Sequence, residues 1–186
     1  MKTYSLLAGA LLLGTVAAQD PAEAKTQAPS AAERMQELND LQKKAVDDWR
    51  AAMKQAKFPV EDGWVVEGEL TIAGARKATR NLMSHSNRPT AIFCANDEMA
   101  IGCLHEVKSA GLSVPEDISV IGFDDIRYAE VTEPPLTTIG QPAEEIGERV
   151  MYRLCRRIDA GNGAGSSPEI VPHKLVIRQS VAKPAN

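Results

Sequence analysis

Two short segments in the middle of the chain, Ala91-Ile92-Phe93-Cys94 and Ile118-Ser119-Val120-Ile121-Gly122-Phe123, are apolar almost throughout instead of alternating with polar residues. A strand with one wet face alternates, whereas a strand covered on both faces does not. Between them Met99, Ala100, Cys103, Leu104 and Val107 recur at three- and four-residue spacing, as on one face of a helix. Asn96 or Asp97 supplies an N-cap for that helix, and Gly111 falls at its C′ position. Buried strand, amphipathic helix, buried strand is the order of a parallel sheet covered by helices on both faces. The expected fold class is therefore α/β with a parallel, Rossmann-like sheet.

The same pattern extends in both directions. Upstream, Trp64-Val65-Val66 reads as a short strand, followed by a helix with Ile72, Ala75, Thr79 and Leu82 on one face. Before it, Gln42 to Lys57 carries Val46, Trp49, Met53 and Ala56 at helical spacing, and Phe58-Pro59 stops that helix. Downstream, Leu136 to Ile139 reads as a strand leading to Pro142 at a helix start. Glu144 and Glu145 lie in the first turn of that helix and Arg153, Arg156 and Arg157 near its end, so charge complements the helix dipole. Its apolar stripe, Ile146, Val150, Leu154 and Ile158, requires a packing partner. The loop 161–168 then leads to a last strand, Leu175-Val176-Ile177.

The N-terminus follows a different logic. Lys2, the apolar run from Leu6 to Val16 and the small residues Val16-Ala17-Ala18 have the form of a secretory signal over residues 1–18. The run is shorter than the ~20 residues a membrane-spanning helix needs. Residues 19–41 are rich in Ala, Gln, Pro and charge, as a disordered linker is, and leave 42–186 as the folded unit. Cys94, Cys103 and Cys155, odd in number and set in apolar segments, resemble buried thiols of a reducing compartment. The expected location is thus export if the signal operates, and the cytoplasm otherwise.

In open parallel sheets, ligands bind outside the carboxyl ends of the strands, where loops are free of the core. Here those ends carry Glu67-Gly68-Glu69, Asn96-Asp97 and Asp124-Asp125, all able to accept hydrogen bonds from hydroxyl- or amine-bearing ligands. Asp124 has the strongest claim to ligand contact. Asp97 also reads as a helix cap, and Asp125 as a solvent-facing or turn-closing residue. Catalytic readings find no support. His85, His105 and His173 are scattered, and no P-loop, G-x-S-x-G or H-E-x-x-H motif occurs. The adjacent pairs Asp124-Asp125 and Glu144-Glu145 would point apart rather than form an acid/base dyad. No catalytic residue, cofactor or metal is expected, and a net charge of -4 with no basic stripe disfavours autonomous DNA binding.

Three segments, Arg88 to Gly102 (RPTAIFCANDEMAIG), Val114 to Asp125 (VPEDISVIGFDD) and Pro134 to Pro142 (PPLTTIGQP), resemble LacI/GalR-type transcription regulators, in the style of the purine and cytidine repressors. The likeness runs from about Trp49 to Ser180. It implies one lobe of a two-lobed periplasmic-binding-protein type I sensor that takes a small effector between its lobes, and a possible homodimer. It implies effector contacts at Asp124 and Asn96, with Asp97 beside them, and places Leu70 where relatives often carry an aromatic that stacks on ligand. Ala45 stands where relatives have an effector-binding Arg. DNA contact would pass through a helix-turn-helix headpiece that this sequence does not contain. PPLTTIGQP would cross to the other lobe, against which the helix from Ile146 to Ile158 would pack. A sensor for a sugar- or nucleoside-like effector is thus the leading expectation. The alternatives are an exported sugar-binding receptor and a truncated or fused reading frame without activity.

Overall fold

In a computed structural model, the described residues are 4–8, 31–58, 60–160 and 169–183. Six strands form one sheet: β1 (Tyr4–Ala8), β2 (Val65–Glu67), β3 (Ala91–Cys94), β4 (Ser119–Asp124), β5 (Thr137–Gly140) and β6 (Lys174–Val176). Their order is β2-β1-β3-β4-β5-β6, parallel except for the antiparallel β6. Four helices connect them: α1 (Ala31–Gln55), α2 (Ile72–Met83), α3 (Asp97–Ser109) and α4 (Ala143–Ala160). The crossovers β2 to β3 and β3 to β4 advance the same way along the sheet, so right-handed connection places α2 and α3 on one face. The two helices pack on each other there and on the strands beneath. The connection from β1 to β2 runs the other way, which assigns α1 to the opposite face. The α/β class and parallel sheet are as the strand pattern requires.

Burial explains the pattern. Ile92 and Cys94 of β3, Val120 of β4, Leu82 of α2, and Met99, Cys103 and Val107 of α3 form one core with Trp64 and Leu136. Fully burying side chains of this size is worth about 1.5–3 kcal/mol each, which makes the α2–α3 layer the anchor of the fold. Trp64 keeps its indole N–H satisfied by donating to the Asn87 carbonyl at 3.0 Å. Helix α3 ends as its sequence requires. Gly111 takes φ +76°, and the amide of Leu112 donates back to the Val107 carbonyl at 3.1 Å.

In three places the structure differs from the pattern read in the sequence. Tyr4–Ala8, inside the segment read as a signal, forms an interior strand, with Leu6 opposite Val65 on one side and Phe93 on the other. A doubly wound sheet needs an apolar first strand at its centre, and a continuous apolar run has the same composition in either role. The rest of that segment lies outside the described residues. Residues 31–41, read as linker, are the first part of α1, because Ala31-Ala32-Glu33-Arg34-Met35-Gln36-Glu37-Leu38 is built of strong helix formers. Exposed i,i+4 pairs, Gln36 with Asp40 and Lys44 with Asp48, continue that helix. Residues 19–30 lie outside the described set, as does the loop 161–168. Finally, Cys94 and Cys103 are buried, but Cys155 is exposed.

Cys155 is exposed because α4 turns its apolar side outward. Val150 is 56%, Leu154 48% and Ile158 71% exposed, and a Cβ added at Gly147 would meet nothing. The side facing the body is polar: Arg149 and Arg153 both pair with Glu169. Of the stripe that required a partner, Ile146 is half-buried and Val150, Leu154 and Ile158 are left exposed among the described residues.

Candidate functional site

The carboxyl ends of β2, β3 and β4 bring three short loops to one rim. Residues Glu69, Leu70, Asp124 and Asp125 there have positive φ values of 54, 53, 115 and 57°. Side chains at positive φ are uncommon, and such conformations, held by the surrounding structure, cluster at binding sites. Lys57, with φ 61°, lies elsewhere.

Each rim residue has a distinct task. Asn96 caps α3, its Oδ1 accepting from the Met99 amide at 2.7 Å, while its Nδ2 reaches the Leu70 carbonyl at 3.5 Å. That links the β2 and β3 loops. Leu70 is half-buried against the core, so it offers the rim an aliphatic edge. Asp97 is fully buried and does not serve as the cap. Its Oδ1 accepts from the Thr138 hydroxyl at 2.6 Å and its Oδ2 from the Ile126 amide at 2.8 Å. One carboxylate thus ties α3 to β5 and to the loop after β4. Burial raises its pKa, against the lowering effect of its two hydrogen bonds, and the charges of Asp124 and Asp125 raise it further.

Asp124 remains half-exposed at the end of β4. Its Oδ1 accepts from Gln141 Nε2 at 2.6 Å, and Gln141 N donates to the Asp124 carbonyl at 3.4 Å. Its Oδ2 has no partner among the described residues. No buried side-chain oxygen in them lacks one, so Oδ2 keeps contact with solvent. Burial raises the Asp124 pKa, the Gln141 bond lowers it, and the nearby Glu98 carboxylate raises it. Asp125, read as solvent-facing or turn-closing, lies in the turn after β4 and is part-buried. It pairs with Arg178 Nη2 at 2.7 Å, and Arg178 Nη1 also reaches the Leu136 carbonyl. Arg178 lies beyond β6, and a residue 53 positions away gives no local signal. Gln141 was missed as a site residue because the signature around it drew attention only to Pro142 as a helix start.

The structure therefore brings Leu70, Asn96 and Asp124 together at the rim, and turns Asp97 inward. A separate hollow of about 380 Å³ is lined by Arg50, Lys54, Lys57, Phe58, Val60 and Asp62. It lies in the connection from α1 to β2, which enters β2 at its amino end and so sits across the sheet from the rim. The rim is the better candidate because its groups converge from three strands. Among the described residues, no group of three or more His, Cys, Asp or Glu side chains is arranged to hold a metal.

Comparison with known proteins places this geometry in a class. The family model of the periplasmic binding protein-like domain matches residues 15–181. The HTH-type transcriptional repressor PurR of Serratia proteamaculans is 42% identical over 131 residues, covering 70% of this chain. This chain spans 38% of that relative's length. Among solved structures, a transcriptional regulator CelR–cellobiose complex is 30% identical with a TM-score of 0.68, over 75% of this chain and 42% of that one. The dimeric Lac repressor, at 24% identity, shares the fold over 99% of this chain and 57% of that one, with a TM-score of 0.73. The chain belongs to the periplasmic binding protein-like domain family, and it is similar to part of the PurR repressor and of a regulatory protein of the LacI family from Chloroflexus aggregans.

Proposed function

We propose that the carboxyl rim binds a small, hydroxyl-rich effector, with Asp124 as its principal polar contact and Asn96 and Leu70 at its edges. The observation that carries this is the Asp124 carboxylate, with one oxygen held by Gln141 and the other open at a rim of unusual backbone geometry. An open carboxylate oxygen accepts hydroxyl or amine hydrogens and repels phosphate. The aliphatic Leu70 favours a sugar over a flat base, and the CelR relative is solved with cellobiose. Asp97 belongs to the scaffold of this site rather than to its surface. Regulation of transcription, a homodimer and DNA contact through a separate headpiece are parts of this reading carried by the relatives. An interior position for Tyr4–Ala8 and two buried free thiols favour the reducing cytoplasm over export. Among the described residues, no helix is long and apolar enough to cross a membrane.

Calorimetric titration with cellobiose and, in parallel, adenosine tests the reading. Saturable binding of the sugar is expected, weakened roughly tenfold or more by Asp124→Ala, since a charge-assisted bond contributes about 1.5–3 kcal/mol. Equal affinity in wild type and a folded Asp124→Ala variant would remove Asp124 from the site. Asp125→Ala is not a neutral control, because it breaks the Arg178 pair and lowers stability.

A further inference from the structure

We propose that Gln141 is a positioning residue of this site, holding the Asp124 carboxylate in place for a ligand and tying the rim to the start of α4. The inference deepens the effector-binding reading and rests on it for its ligand half only.

Gln141 bonds Asp124 twice, through its side chain to Oδ1 and through its backbone amide to the carbonyl. A carboxylate can rotate, and a single strong bond to one oxygen fixes which oxygen faces outward. Here the amide takes Oδ1 and leaves Oδ2 open to solvent. Asp124 is held at φ 115°, an uncommon geometry for a residue with a side chain. Gln141 is also where β5 becomes α4: Pro142 and Ala143 follow, and Pro142 accepts from the Ile146 amide. Beyond this junction α4 pairs with Glu169 through Arg149 and Arg153, while Val150, Leu154 and Ile158 are exposed among the described residues. Whatever moves the Asp124 carboxylate therefore pulls on the one end of α4 bonded to the site.

The charged neighbours of Asp124 are the Glu98 carboxylate, which raises its pKa, the buried Asp97, and Asp125 with its Arg178 partner. The Gln141 hydrogen bond is what lowers the pKa of this carboxyl. Removing it sends the Asp124 pKa further up, and replacing it with a second carboxylate sends it higher still.

The test uses the full chain with carbon-13-labelled aspartate. The Asp124 carboxyl is titrated by NMR in wild type, Gln141→Ala and Gln141→Glu, amide exchange is followed in the first turn of α4, and cellobiose affinity is measured in each. The expected order of Asp124 pKa is wild type lowest, Ala higher, Glu highest. Exchange at the start of α4 becomes roughly tenfold faster in Gln141→Ala, as loss of one ordinary hydrogen bond implies. Cellobiose binding weakens in both variants. A Gln141 that served only as a helix start would leave the Asp124 titration unmoved, and that result overturns the proposal. So does a shifted titration with unchanged affinity. If wild type does not bind cellobiose, the reading of the site as a sugar site fails, while the titration and exchange still decide whether Gln141 positions Asp124.

Discussion

Asp97→Ala removes the one side chain that joins α3, β5 and the loop after β4. Its loss strands two donors, the part-buried Ile126 amide and the buried Thr138 hydroxyl. A buried polar group left without its partner costs about 1–3 kcal/mol, so the pair amounts to roughly 2–6 kcal/mol. Part of this is returned, because an ionised carboxylate no longer has to be kept from water, and a net loss of about 2–4 kcal/mol is expected. Urea unfolding followed by fluorescence of the buried Trp64 measures it, and with a slope of about 1–3 kcal/mol/M the midpoint falls by roughly 1–2 M. Asp97→Asn keeps the shape and removes the charge, its amide oxygen still able to accept from the Ile126 amide while its Nδ2 puts a donor opposite the Thr138 hydroxyl, which must turn to accept. Burial raises the Asp97 pKa, so the folded state holds its proton to higher pH than the unfolded chain does. The stability linked to that proton is complete below the ordinary carboxylate value of about 3.9 and is lost as pH rises through the raised folded value. Wild type should therefore lose stability relative to the Asn variant as pH rises from about 4 toward neutrality. An Ala variant within about 0.5 kcal/mol of wild type, or a wild-type-to-Asn difference independent of pH, would refute the reasoning.

Glu106 should show the opposite pH trend, since Arg80 foremost and then Arg76 hold its carboxyl below the usual range at 2.8 and 3.0 Å. Its contribution is present above the unfolded carboxylate pKa and lost as pH falls through the lowered one, so Glu106→Gln should flatten the acid limb of the stability curve. The effect is small because both arginines are largely solvated. Ile158→Ser, on the open side of α4, should change stability by no more than about 0.5 kcal/mol, while Leu136→Ala in the core should cost about 2–5 kcal/mol. Thermal or urea unfolding of the two side by side decides, and equal losses would mean that the α4 stripe is covered.

Local features were legible in the sequence. The strand read at Ile118 to Phe123 is β4 shifted by one residue, and Asn96 caps α3 as its position before an apolar stripe implies. Asp124 stands at the rim because a strand's end is a local property. What was not legible depends on partners distant in the chain. Asp97 resembles a cap until Thr138, 41 residues on, and Ile126, 29 residues on, are seen to converge on it. Asp125 resembles a turn residue until Arg178 arrives. Tyr4–Ala8 was not legible as a strand for another reason: an apolar run carries no mark that separates an export signal from an interior strand.

The glycine at the centre of β4 has a bearing on how this chain can change over time. A Cβ at Gly122 would lie 2.1 Å from the Asp97 Oδ1, closer than atoms can approach. Any side chain at 122 therefore has to displace the carboxylate, and any shorter residue at 97 opens room for one. Substitutions at these two positions, 25 residues apart in sequence, are judged together: a side chain at 122 that clashes alone finds room once residue 97 is shorter, while the donors of Ile126 and Thr138 still lack their acceptor. The pair acts as a ratchet on drift in the domain, because after both have changed, restoring either one by itself recreates the clash or the empty space.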